Sequence, residues 1–106
     1  MELARRAEPP DVIATVTFRS PTEGGREGVL RPDPLRVIMT VGDRNFDVRL
    51  HLSRRAVRPG QETSASIYFL NPDSAREYIK AGQRFTLRDW RVIADGRVER
   101  AEFAPG

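Results

Sequence analysis

Few side chains in this sequence are equipped to do chemistry, and they do not converge. His51 is the only histidine and there is no cysteine. A tetrahedral metal site needs three or four nitrogen or thiolate ligands, and a Ser-His-Asp triad needs a histidine held between nucleophile and acid. His51 alternates with Leu50 and Leu52, the pattern of a histidine on the exposed face of a strand. The carboxylates are scattered, and no pair sits in an apolar stretch that would push two pKa values apart. Gly24-Gly25 lacks the following Lys-Ser/Thr of a phosphate-cradling loop. The expectation is a chain that catalyses nothing and holds no cofactor or metal.

What remains is binding chemistry. Trp90, the one tryptophan, has Arg88, Asp89 and Arg91 beside it. Alternation from Phe85 and Leu87 puts it on the opposite, outer face, next to Arg88 and Arg91. There an indole flanked by guanidinium groups can stack on a base or anchor a protein interface. The alternatives are a bulge that turns it inward, or cover by the N-terminal arm or the 71–82 connection. Arg49, Arg54, Arg55 and Arg58 follow one another through and after the third apolar run. They can track a phosphate backbone, or lie as solvated side chains with their stems on apolar surface. Tyr68 points outward from the fourth run, as a contact residue or as a tyrosine of the barrel surface.

The elements that must carry these residues have period two. Val12, Ala14, Val16 and Phe18 alternate with Ile13, Thr15 and Thr17, and Leu35, Val37, Met39 and Val41 repeat the pattern against Arg36 and Thr40. Phe46, Val48, Leu50 and Leu52 repeat the pattern, as do Thr63, Ala65, Ile67 and Phe69. Phe85 and Leu87 open a fifth strand. Asp95-Gly96 reads as a two-residue hairpin turn joining a strand through Val92 and Ile93 to a last one through Val98, Ala101 and Phe103. Gly42-Asp43 and Pro59-Gly60 mark further turns, and 20–34 is a long polar loop. The connection 71–82 is the one helical candidate, with Asn71 as cap, Pro72 at the first position and Gly82 as the stop. Six short antiparallel strands and one short helical insert predict an all-β, closed barrel over 11–103, between a loose arm (1–10) and a tail (104–106).

The chain has 106 residues, 39% hydrophobic and 31% charged, enough for one small core. Its formal net charge of +3 and pI of about 10.2 invite a nucleic-acid reading. Lys80 is the only lysine, however, and 15 acids are spread through the chain. The high pI therefore partly reflects arginine's own high pKa. No apolar run is long enough to span a membrane or to serve as a secretory leader, so a soluble, cytoplasmic protein is expected.

The order of the punctuating residues resembles the third domain of elongation factor Tu, a six-stranded antiparallel barrel. Glu23-Gly24-Gly25-Arg26, Arg31-Pro32, Val57-Arg58-Pro59-Gly60, Leu70-Asn71-Pro72, Gly82-Gln83-Arg84-Phe85, Arg88-Asp89 and Gly96-Arg97-Val98 fall in the same sequence across 11–103. The family's stretches read roughly E-G-G-R, R-P-Q, V-x-P-G-D, an apolar-Pro segment, G-L-R-F-x-I-R-E and G-R-T-V. In that family the barrel does no chemistry. It packs on a GTP-binding domain, touches the T arm of aminoacyl-tRNA and offers a surface to an exchange factor. The resemblance implies a bacterial, translation-related binding domain that itself binds no GTP. It adds Arg26, whose loop lies near the family's functional surface, and Asp89, which matches an acid that contacts tRNA sugar. The departures fall on RNA-contacting positions. Trp90-Arg91 replace two glycines, Asp33 replaces a glutamine, and Thr40-Val41-Gly42 lacks an arginine.

Two functions follow from different classes. One is a module for protein–protein interaction, self-association included, using the face that relatives turn toward the GTPase domain. The other is an RNA-binding module using Arg88, Trp90, Arg91 and the 54–58 arginines, whose binding would weaken steeply with salt.

Overall fold

The structure, a computed structural model, describes residues 9–19, 35–53 and 58–103. Most of the expected arm, the 20–34 loop with Arg26, the pair Arg54 and Arg55, and the tail lie outside the described residues. Six strands form: β1 (Val12–Phe18), β2 (Leu35–Val41), β3 (Arg44–Leu52), β4 (Glu62–Phe69), β5 (Arg84–Arg88) and β6 (Val92–Ala101). They close into an antiparallel barrel in the order β1-β4-β3-β2-β5-β6. A four-residue helix, α1 (Pro72–Ala75), follows β4. Among the described residues no helix is long and apolar enough to cross a membrane.

The alternation places the core. Val12, Ala14, Val16 and Phe18 of β1 are buried, as are Val37 and Met39, Val48 and Leu50, and Ala65, Ile67 and Phe69. Each fully buried aliphatic or aromatic side chain contributes about 1.5–3 kcal/mol relative to exposure. Leu35, Val41, Phe46 and Leu52, at the strand ends, are only partly buried against this core. At one mouth the rings of Phe46, Phe69 and Phe103 meet, with centroids 5.6 and 5.4 Å apart. Asp11 stitches the same end. Its carboxylate accepts the Phe69 N–H at 2.9 Å, and its carbonyl accepts the Glu102 N–H at 2.7 Å.

Asp95-Gly96 is not a hairpin. Both residues lie inside β6, paired with Thr86 and Phe85 on one side and with Thr17 and Val16 on the other. Gly96 serves a close approach instead, because the Phe85 ring lies where its side chain would be. The register also skips Ile93 against β5 and Glu99 against β1. Each skip is a bulge that adds a residue, bends the strand and helps the sheet close on itself. Those bulges broke the alternation that the sequence offered, so one long strand read as two short ones. β6 ends at Ala101, which is exposed, and Phe103 follows outside the strand.

The real β5–β6 turn is Asp89-Trp90-Arg91. Arg88 pairs with Val92 beneath it, and the Asp89 carboxylate accepts the Trp90 and Arg91 N–H groups. This Asx arrangement fixes the tip. Gly42, at φ +62, starts the two-residue β2–β3 turn, and Gly60, at φ +83, turns the chain into β4. Asn71 does not cap α1 with its side chain. Its backbone carbonyl instead accepts from the Ser74 N–H and hydroxyl, at 3.2 and 3.0 Å. Nor does Gly82 stop α1, which ends at Ala75. At φ +90 it turns the chain toward β5.

A candidate interaction face on the outer wall

Strand register lays out the outer wall of β5, β2, β3 and β4 as a grid. Arg88 stands opposite Ile38, Ile38 opposite Asp47, and Leu70 donates its N–H to the Asp47 carbonyl at 2.9 Å. The next row is Arg36, Arg49 and Tyr68, and beyond it His51 faces Ser66. The first row and the two arginines of the second enclose a half-open hollow of about 250 Å³, with Asp89 on its rim. Leu70 is 70% exposed, and Trp90, next to that rim at the hairpin tip, is 78% exposed.

The electrostatics of this wall are lopsided. Arg36 and Arg49 face each other directly across two strands, an arrangement that is destabilising for like charges. Neither they nor Arg88 forms an ion pair among the described residues. Four other arginines behave differently. Arg19 grips Asp95 with two bonds of 2.8 Å, Arg97 holds Glu99 at 2.9 Å, and Arg76 and Arg100 reach Asp73 and Glu102. The Arg91 guanidinium lies 4.6 Å from the Trp90 ring centroid, a cation–π contact that presents ring and charge together.

A second hollow, of about 380 Å³, lies over β1, β6, β5 and the end of β2, lined by Thr15, Thr17, Thr40 and Thr86 with Glu62, Arg84, Asp95 and Arg97. Arg19 pairs with Asp95 there and Arg97 with Glu99, while Arg84 and Glu62 form no ion pair among the described residues. The Arg19 hydrogen bonds hold the Asp95 carboxyl below the ordinary 3.8, against the smaller opposing effect of burial. The charge contribution of that pair is therefore complete at neutral pH and is lost as pH falls below 3.8 and through the folded value. For a pair this exposed it amounts to no more than about 1 kcal/mol. In urea titrations across pH, Asp95→Asn is less stable than wild type at pH 7, and the two converge under acid conditions.

The sequence candidates divide accordingly. Arg49, Tyr68, Arg88, Asp89, Trp90 and Arg91 all lie on or beside the outer wall. Trp90 is exposed because it caps a hairpin, and not because of strand alternation. Tyr68 is half-buried, with its ring edge-on to His51 at 5.3 Å. Arg58 is not part of this group. It sits in the turn before β4, whose Gly60 N–H bonds the Phe18 carbonyl, at the other end of β4 from Tyr68. Sequence reasoning missed Arg36, Ile38, Asp47 and Leu70. The usable signal was an apolar residue on an outward position, Ile38 between Val37 and Met39, and Leu70 after the last inward residue of β4. Among the described residues no group of three or more acids and histidines could hold a metal ion.

The chain matches no protein-family model and no curated protein.

Proposed function

We propose that this chain is a non-catalytic binding module that takes a protein partner on the outer wall of β5, β2, β3 and β4. One observation carries the reading: two exposed apolar anchors, Leu70 and Trp90, stand at a hollow whose arginines have no carboxylate partner among the described residues. Tryptophan and arginine are the residues most enriched where interfaces concentrate their energy. The resemblance to the elongation factor Tu barrel belongs to the same proposal. It supports a docking body in the cytoplasm, connected with translation, and the six antiparallel strands suit it.

RNA binding is the second reading, favoured by Arg36, Arg49 and Arg88, which form no ion pair among the described residues. Affinity capture separates the two. Immobilised wild-type protein retains a discrete set of proteins from nuclease-treated bacterial lysate, and Leu70→Glu loses them at unchanged melting temperature. Retention that disappears with nuclease, or is the same for both proteins, would contradict the protein-binding reading.

A further inference from the structure

Resting on that reading, we infer that the hollow accepts an acidic peptide segment of the partner. An apolar side chain of the segment seats on Ile38 and Leu70, and a carboxylate is held between Arg36 and Arg49. The charges single out this occupant. Two guanidinium groups in register, with no carboxylate partner among the described residues, lower their mutual repulsion when an anion bridges them. A side-chain carboxylate fits that geometry because arginine presents its donors as a planar fork.

Asp47 and Asp89 line the same hollow and argue for peptide over nucleic acid. A continuous run of phosphates would meet both carboxylates. A peptide brings its negative charge at separated side chains and offers a main-chain N–H group to Asp47. The apolar part has its own place, since Ile38 lies between Arg88 and Asp47 and Leu70 lies beyond Asp47. The partner segment therefore carries its apolar and acidic residues two positions apart, the spacing at which an extended chain turns side chains to the same face.

The test is selection from a display library of random short peptides on the immobilised full chain. A synthetic copy of the winner is then titrated while Trp90 fluorescence is followed. Enrichment of peptides pairing Asp or Glu with a large apolar residue is expected. Their affinity should drop at least about tenfold in Arg36→Glu/Arg49→Glu, about 1.4 kcal/mol. The same double variant should select basic peptides, which also shows that it is folded. Selected peptides without acids, whose binding is nevertheless lost in Leu70→Glu, would overturn the acidic segment and leave the protein-binding face standing. Peptides indifferent to Leu70→Glu would overturn both. Oligouridine that binds in place of peptide and is lost in the arginine double variant would overturn the inference in favour of RNA.

Discussion

Gly96→Ala lowers the free energy of unfolding by about 1–3 kcal/mol, and Gly96→Val by more, as read from urea denaturation. Gly96 pairs directly with Phe85 across β5 and β6, and the Phe85 ring folds over it. A β-carbon there would fall inside the van der Waals envelope of that ring. The ring cannot swing clear cheaply, because Phe85 is 4% exposed and enclosed by the core. Backbone conformation is not the cause, since Gly96 is not among the glycines with positive φ. Shrinking the ring should therefore compensate. Phe85→Leu with Gly96→Ala should cost less than the sum of the single changes, the non-additivity expected of residues in contact. Strict additivity would show that the glycine is there for another reason.

Phe18→Ala costs about 3–5 kcal/mol, against the 5–15 kcal/mol typical of a whole small domain. Phe18 closes the buried row of β1 and is 2% exposed. Its carbonyl also accepts the Gly60 N–H at 2.7 Å, and the following Arg19 N–H bonds the Ile93 carbonyl at 2.8 Å. The ring thus supports the place where β1, β6 and the turn before β4 come together. Removing it leaves a cavity that a closed sheet cannot collapse to fill. The change should show as a urea midpoint lowered at nearly constant slope, or as failure to fold at ambient temperature.

The sequence made the barrel legible because inward alternation in β1 through β4 was clean, and a strand that buries one face leaves a period-two trace. It failed in β6, where Ile93 and Ala94 are both buried and Glu99 is inserted. Bulges that close a barrel erase the pattern used to find the strand. An Asp-Gly pair most often makes a turn, whereas this glycine answers to the Phe85 ring on the neighbouring strand. The binding face was half legible. Trp90, Arg88 and Arg49 stood out by residue type. Arg36 and Leu70 acquire their meaning from register, which sets one beside Arg49 and the other beyond Asp47. Those neighbours are 13 and 23 positions away in the chain, from the numbering of 36 to 49 and 47 to 70.

Two walls of one barrel thus differ in what they leave unsatisfied. On the Thr17 side Arg19 and Arg97 hold Asp95 and Glu99, and on the Leu70 side Arg36, Arg49 and Arg88 have no ion pair among the described residues beside the exposed Leu70. Site-specific photo-crosslinking contrasts the two walls directly. A benzophenone amino acid replaces Leu70 in one version of the protein and Thr17 in another, and both are irradiated in intact bacterial cells. A discrete, nuclease-resistant, higher-mass product from the Leu70 position and none from the Thr17 position is the predicted result. Products from Thr17 alone, or equal products from both positions, would contradict the assignment of the binding face.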